Sequence, residues 1–363
     1  MGEHFETYVK KLETTAHLAV AGWAGSWYTD SPLVSSTDLT PRLRAAGLIT
    51  TAAPRFEPLA GGVSSDIVLV RDGDRSFVTK RALGKLKVRD DWFADASRNA
   101  VERSFLDYAA SVVPGCVPRV LAGDPDAGWF AMEHLGGDLA NWKDLLLSGV
   151  AEPDHARRAG DVLGRLHHAS WGDVAVRERF PTLRNFHALR IEPYLLTTAA
   201  RVPGARAALE AEAARLAGSS IALVHGDYSP KNILVSSRRL VLLDAEVAWF
   251  GDPAFDTAFL LNHLHLKALV HRGHPEPFLA LAGEFWRSYA SALAGRDTAD
   301  LESRTVRLML CLMLARVHGK SPAEYLAPEH RSLITGFVLR LLGRNPATVA
   351  EAVAEWRATL SSP

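Results

Sequence analysis

The chain has 363 residues, 48% hydrophobic and 23% charged, a composition that suits a soluble globular protein with room for two lobes and a sizeable core. Its 41 basic and 41 acidic residues cancel, so neither a general basic field for nucleic acid nor a polybasic membrane anchor is expected. The two cysteines, Cys116 and Cys311, lie far apart, which argues against a disulfide framework and for a reducing cytoplasm, and no segment has the apolar length of a membrane span.

Thr14 to Thr29 is uncharged and follows Lys10 and Lys11. Glu3, Glu6 and Glu13 spoil the positive start of a signal peptide, so residues 1–50 read as a helical N-terminal extension. Within it, Thr40-Pro41 through Gly47 carries a cap, a first-turn proline and a closing glycine. The pattern then turns to strands at Arg55–Leu59, Asp66–Val70 and Ser76–Lys80. The last two are joined through Arg71-Asp72-Gly73-Asp74, where Asp-Gly favours a tight hairpin. Gly61-Gly62-Val63-Ser64-Ser65 is a loop. Ser97–Val112 is helical, with Val101, Phe105, Tyr108 and Val112 on one face. Val117–Leu121 and Trp129–Met132 read as further strands. Residues 51–135 thus form an N-lobe, an antiparallel sheet with one helix.

Gly136-Gly137 is the expected boundary, and residues 136–363 form a mainly helical C-lobe. Helical periodicity covers Asp154–Ala169, Ala205–Ala217, Phe255–Leu269, Pro277–Ala294, Glu302–Val317 and Pro346–Leu360. Among these helices lie short apolar strands at Ile221–Val224, Ile233–Val235 and Leu240–Leu243. The polar run Ser236–Arg239 joins the last two as a hairpin. The expected class is α+β, in two lobes.

The most informative stretch is LVHGDYSPKNILVSSRRLVLLDAE, starting at Leu223. Asn232 immediately precedes one arm of the hairpin and Asp244 immediately follows the other. A hairpin brings its open ends together, so the Asn232 amide and the Asp244 carboxylate become neighbours. Asp227 arrives from the preceding strand. Two oxygen ligands beside a second carboxylate suit Mg²⁺ on nucleotide phosphates while Asp227 handles a hydroxyl proton.

Phosphate chemistry also needs positive charge and close backbone approach. Gly61 and Gly62 give a loop without side-chain obstruction, and Ser64 and Ser65 offer hydroxyl donors. Lys80, at the end of a strand, is placed to reach phosphates, and Lys85 and Lys87 are its rivals. Glu102 is the only glutamate between Lys80 and Glu133, so it is expected to orient Lys80 rather than pair with Arg98 one turn earlier. Met132, Glu133 and Leu135, at the boundary of the lobes, are candidates for backbone contacts to an adenine ring.

Together these residues resemble the aminoglycoside phosphotransferase and choline kinase-like family, a branch of the protein-kinase-like fold, from about Leu59 to Asp256. HGDYSPKN resembles its catalytic loop and LLDAE its metal-binding segment. The resemblance implies an ATP- and Mg²⁺-dependent transfer of the γ-phosphoryl group to a hydroxyl of a small molecule. It makes Asp227 the catalytic base or hydroxyl-orienting group, Asn232 and Asp244 the Mg²⁺ ligands with Glu246 nearby, and Lys80 with Glu102 the phosphate pair. Asp256 would brace the catalytic loop. The DAE triplet and LRIEPYL at Leu189–Leu195 are similar to the methylthioribose kinase-like branch.

Protein kinases usually carry Arg where Gly226 stands and Phe-Gly where Ala245-Glu246 stands, and no Ala-Pro-Glu segment follows Asp244. These departures argue against a protein substrate and against activation-loop control. Acceptor candidates are Glu246, Trp249, Arg190, Glu192 and Arg316, with Lys320 near the last. The acceptor is expected to be a sugar- or ribose-like metabolite, or an antibiotic as in resistance kinases. The competing reading is a nucleotide-binding scaffold without transfer. His263, His265, His271 and His274 invite a metal reading, but two residues apart on a helix face different sides.

Overall fold

The computed structural model describes residues 36–59, 65–82, 98–344 and 346–361. It separates into two compact units that meet in sequence at Ile49 and Thr50. In the first, α1 (Ser36–Ala45) closes as the glycine suggests. The Gly47 N–H donates to the Arg44 carbonyl and the Leu48 N–H to the Leu43 carbonyl, both at 2.9 Å, with Gly47 at φ +67°. That double bond over a left-handed residue is the glycine-terminated helix cap. The start differs from expectation. The helix begins at Ser36, so Thr40 is not its cap and Pro41 lies inside it.

The second unit opens with β1 (Arg55–Pro58), β2 (Ser65–Asp72), β3 (Arg75–Ala82), β4 (Val120–Asp124) and β5 (Trp129–Glu133), an antiparallel sheet in the order β1-β2-β3-β5-β4. α2 (Arg98–Val112) is inserted before β4. The hairpin is tighter than expected. Asp72 pairs with Arg75, which leaves Gly73-Asp74 as the loop, with Gly73 at φ +61°. A two-residue loop needs a positive φ at its first position, which glycine adopts freely. β4 starts three residues later than the apolar pattern implied, and a register irregularity falls between Val120 and Ala122.

The remainder is mainly helical: α3 (Trp142–Leu147), α4 (Pro153–Ser170), α5 (Arg206–Gly218), α6 (Ala254–Val270), α7 (Glu276–Ala292), α8 (Ala299–His318), α9 (Pro328–Arg344) and α10 (Val349–Ser361). The helices expected from the sequence did not include α3, α9 or the π-helix His187–Leu196, which carries Pro193 inside it. β6 (Ala140–Asn141), β7 (Ala222–Val224), β8 (Ile233–Val235), β9 (Leu240–Leu242) and β10 (Trp249–Gly251) form two small sheets, β6-β8-β9 and β7-β10. α6 is buried on nearly all sides, which explains its apolar run. No described helix is long and apolar enough to cross a membrane. Both cysteines are buried and unpaired, and burial pushes the Cys116 thiol up to about 12, so it is unreactive.

The closest helix packing is α4 on α7. A side chain at Gly164 would put its Cβ 2.6 Å from Ala292 Cβ and 2.7 Å from the Tyr289 carbonyl, and Gly160 lies against Phe285 and Tyr289 in the same way. Backbone is what such a side chain would strike, and packed helices yield little. Gly164→Leu is therefore expected to destabilise the protein by about 1–3 kcal/mol or more. A urea midpoint equal to the parent's would show that the contact yields.

Candidate active site

The two short arms of the hairpin are in the expected register. Ile233 pairs with Leu242, the Leu243 N–H donates to the Asn232 carbonyl at 2.9 Å, and the turn closes with Ser236 N–H on the Arg239 carbonyl at 2.8 Å. Asn232 and the residue before Asp244 are thus cross-strand partners. The Asn232 side-chain amide donates to the Asp227 carbonyl at 3.1 Å. The strand–hairpin topology therefore gathers positions 227, 232 and 244. Asp244 sits at φ +63°, a conformation that costs a non-glycine residue energy and that aspartate tolerates better than most.

Asp256, in the first turn of α6, accepts from the His225 N–H at 2.7 Å and the Gly226 N–H at 2.9 Å. The same carboxylate lies 3.3 Å from His167 Nε2, and His167 Nδ1 is 2.9 Å from the Tyr289 hydroxyl. His225 is the strut between the two motifs. Its Nδ1 accepts from the Asp227 N–H at 3.2 Å, which leaves Nε2 to donate to the Leu243 carbonyl at 3.1 Å. Acceptance at Nδ1 requires the neutral ring, and burial lowers the His225 pKa accordingly. Gly226 has φ +79°, and a Cβ there would lie 2.6 Å from the Val247 carbonyl. No arginine fits this position. Gly226→Ala is expected to cost about 1–3 kcal/mol and to lower activity with it, because the strain falls on the loop that holds Asp227. Thermal unfolding unchanged by the substitution would contradict this.

Lys80, on β3, reaches both α2 and the segment after the hairpin. Its Nζ is 2.7 Å from Glu102 and 2.6 Å from Asp244. Glu102 therefore pairs with Lys80, while Arg98 pairs with Glu246 at 2.9 Å. Burial works against the charge of Lys80, but Asp244 and Glu102 raise its pKa above the ordinary value. Burial pushes Glu102 up to about 7 against the pull of Lys80. Asn99 was not expected. Its amide holds the Lys80 carbonyl at 3.0 Å and the Gly128 carbonyl at 2.8 Å, so α2 fixes the strand as well as the side chain.

Two cations flank Asp227. Lys231 Nζ lies 2.9 Å and Arg190 Nη2 3.1 Å from its Oδ2, and Arg190 Nε also donates to the Gly226 carbonyl at 2.6 Å. Burial opposes ionisation of Asp227, but Lys231 and Arg190 outweigh it and hold the carboxyl well below the usual carboxylate range. Sequence reasoning missed Lys231, although its four-residue spacing from Asp227 was available. Arg190 was considered an acceptor contact. It is buried, and its guanidinium is engaged by Gly226 and Asp227 themselves.

The other expected residues divide. Gly61, Gly62 and Ser64, with the rivals Lys85 and Lys87, lie outside the described residues. Ser65 opens β2, and its buried hydroxyl has no partner among the described residues. Met132, Glu133 and Leu135 are half-buried at the end of β5. The Glu133 carboxylate binds Arg239 at 3.0 Å and accepts the Arg119 N–H at 3.1 Å, and the Glu133 N–H donates to the Arg119 carbonyl at 2.9 Å, so neither group is offered to a ring. Trp249 does not face the site: it is sealed in the core, stacked on Phe186 with centroids 3.6 Å apart, because β10 pairs with β7. Glu246 is tied to Arg98. Glu192 pairs with Lys320 at 2.9 Å. Among the described residues, no group of three or more His, Cys, Asp or Glu side chains forms a metal cage, and His265 Nδ1 lies 2.8 Å from the Leu261 carbonyl of its own helix.

A family model described as "Phosphotransferase enzyme family" matches residues 55–289. Methylthioribose kinase of Exiguobacterium sibiricum is 26% identical over 257 residues, 64% of this chain and 66% of that protein. Methylthioribose kinase of Pectobacterium carotovorum subsp. carotovorum is 25% identical over 284 residues, 67% of this chain and 71% of that protein. The match thus spans about two thirds of these relatives' own lengths. Among solved structures, a Plasmodium vivax ethanolamine kinase aligns with a TM-score of 0.52 at 12% identity, over 97% of this chain and 94% of that one, a likeness of fold.

Proposed function

Because the chain belongs to the phosphotransferase enzyme family, we propose that it is a small-molecule kinase that moves the γ-phosphoryl group of ATP, with Mg²⁺, to a hydroxyl of its acceptor. The observation that carries this reading is Lys80, which bonds Glu102 and Asp244 at once and so joins the sheet to the hairpin. Such a lysine, held by a carboxylate, suits the phosphates of a nucleotide. Asp244 and Asn232 are the residues that would hold the metal. They fit it: the Asn232 amide nitrogen is bonded to the Asp227 carbonyl, which leaves its oxygen for a hard cation. Mg²⁺ takes few protein ligands and completes its shell with phosphate and water. When bound, it neutralises charge that develops on the transferred group.

Asp227 orients the acceptor hydroxyl and receives its proton late. Its depressed pKa makes it a weak base, so its service is position and charge more than proton affinity. Lys231 and Arg190 fix the carboxylate, and Lys231, half-exposed, also offers its ammonium to an oxygen of the transferred group. Gly61, Gly62, Ser64 and Ser65 would line the phosphates, and the backbone at Met132 and Leu135 the adenine. The domain limits proposed are 51–135 for the nucleotide lobe and 136–363 for the catalytic lobe.

The methylthioribose kinase relatives make ribose-like metabolites the first acceptors to test, ahead of antibiotics. The experiment is ADP release from ATP and Mg²⁺ across both classes. Turnover is expected with at least one hydroxylated member and is expected to vanish with EDTA and in Asp244→Ala. Release that persists in Asp244→Ala would refute the reading.

A further inference from the structure

We propose that the acceptor carries a carboxylate or phosphate, which docks on a cationic site formed by Lys267, Arg316 and Lys143 beside Asp227. This deepens the kinase reading and rests on it for the word acceptor; the anion site itself stands on geometry.

Phe259, His263 and Lys267 recur at four-residue steps along α6 and share one face of it. The His263 ring packs 5.6 Å from that of Phe259, and its Nδ1 lies 3.4 Å from the Tyr325 hydroxyl. Lys267 Nζ sits 3.5 Å from the centroid of the Tyr325 ring. From α8, Arg316 Nη1 holds Ser321 Oγ at 3.0 Å and reaches the Tyr194 hydroxyl at 3.4 Å. Tyr194 shares the π-helix with Arg190, whose guanidinium touches Asp227. The charged groups near enough to act on His263 or Lys267 are Lys143 and Asp144 from α3, Arg316 from α8 and Lys231 from the catalytic loop. The Arg190 guanidinium that touches Asp227 also lies 5.9 Å from the Phe259 ring, so this face of α6 leads to the hydroxyl-handling carboxylate.

The charges do not balance. Among the described residues, no carboxylate pairs with Lys143, Lys267 or Arg316. Lys267 is 1% exposed, and the Arg316 Nε is buried without an acceptor. Burial, with Lys143 and Arg316 beside it, lowers Lys267 to about 7, and only Asp144 pulls the other way. Burial with Arg316, Lys267, Lys231 and Lys143 holds His263 well below its ordinary value, so the ring stays neutral. A methionine would pack in place of Lys267 with no such cost, so the position is explained by an anion that completes it. The same charge repels a polycationic amine.

The test uses the full chain loaded with a non-hydrolysable ATP analogue and Mg²⁺, so that the nucleotide site is filled. Calorimetric titrations with inorganic phosphate and, separately, malonate distinguish the two anion chemistries. Saturable binding of at least one is expected, with proton uptake at pH 8 as Lys267 regains its charge. Lys267→Met and Arg316→Met are each expected to weaken it by about tenfold or more, while analogue affinity holds and Lys267→Met melts higher than the parent. Failure of both anions to bind, or binding indifferent to both substitutions, overturns the site. Failure to bind the analogue strikes the kinase reading instead, and the anion titrations are then judged on the unloaded chain.

Discussion

Asp227→Asn is expected to fold, to bind ATP as the parent does, and to turn over about 10²–10⁴ times more slowly. The substitution keeps the shape of the side chain and removes its charge. Both Lys231 at 2.9 Å and Arg190 at 3.1 Å then lose their counter-ion, and the acceptor hydroxyl loses an oxygen that can take its proton. The loop itself is held from outside the carboxylate: Asp256 takes the N–H groups of His225 and Gly226, and Asn232 takes the Asp227 carbonyl. The loss should therefore fall on kcat, with the KM for ATP close to the parent's. Because Lys231 and Arg190 keep Asp227 ionised, the acid limb of the parent's pH profile should not follow an ordinary carboxylate near 4. A parent-like kcat in Asp227→Asn would remove this residue from the reaction.

Lys80→Met should lose both activity and stability. Removing one preorganised contact to the phosphates is expected to lower kcat about 10²–10³-fold. The stability effect has a separate origin. Lys80 and Glu102 are 4% and 3% exposed, so the variant strands a buried carboxylate. Breaking such a pair costs about 3–5 kcal/mol. The cost depends on pH in a definite sense. Glu102 is already held up to about 7 by burial, and without the lysine its pKa rises further. A carboxyl whose folded pKa lies above its unfolded value binds more protons when folded, so the variant loses stability as pH rises above the unfolded value. Lys80→Met with Glu102→Leu should recover much of the stability and none of the activity. Denaturation of the single and double variants at pH 5 and pH 8 checks both claims. If the single variant gained stability toward pH 8, the buried pair would have been misread.

Chemistry close in sequence was legible, and chemistry assembled from distant elements was not. The hairpin from Ile233 to Leu242 could be inferred because two short apolar runs flank four polar residues, and its open ends must meet. Lys80 with Glu102 could be inferred by elimination among glutamates. Arg190 against Asp227, and Arg98 against Glu246, depend on where a π-helix and the first turn of α2 lie in space, and local periodicity is silent on both. The π-helix was hidden for a further reason: a wider turn breaks the 3.6-residue repeat, and Pro193 reads as a break. Trp249 was misplaced because a three-residue strand such as β10 gives no pattern from which its inward face can be told. α9 was legible and was omitted from the expected helices: Ile334, Phe337, Val338 and Leu341 recur at helical spacing on its buried face.

The wide winding of His187–Leu196 has a thermodynamic side. Such coils are rare and are found mostly at functional sites. Arg190 ties this one to the loop below, through the Gly226 carbonyl and Asp227. Whatever occupies the space over Asp227 pulls on the same guanidinium. The segment thus works as a tension gauge for the pocket, and slowed amide exchange along it would register occupancy even for compounds that are never phosphorylated.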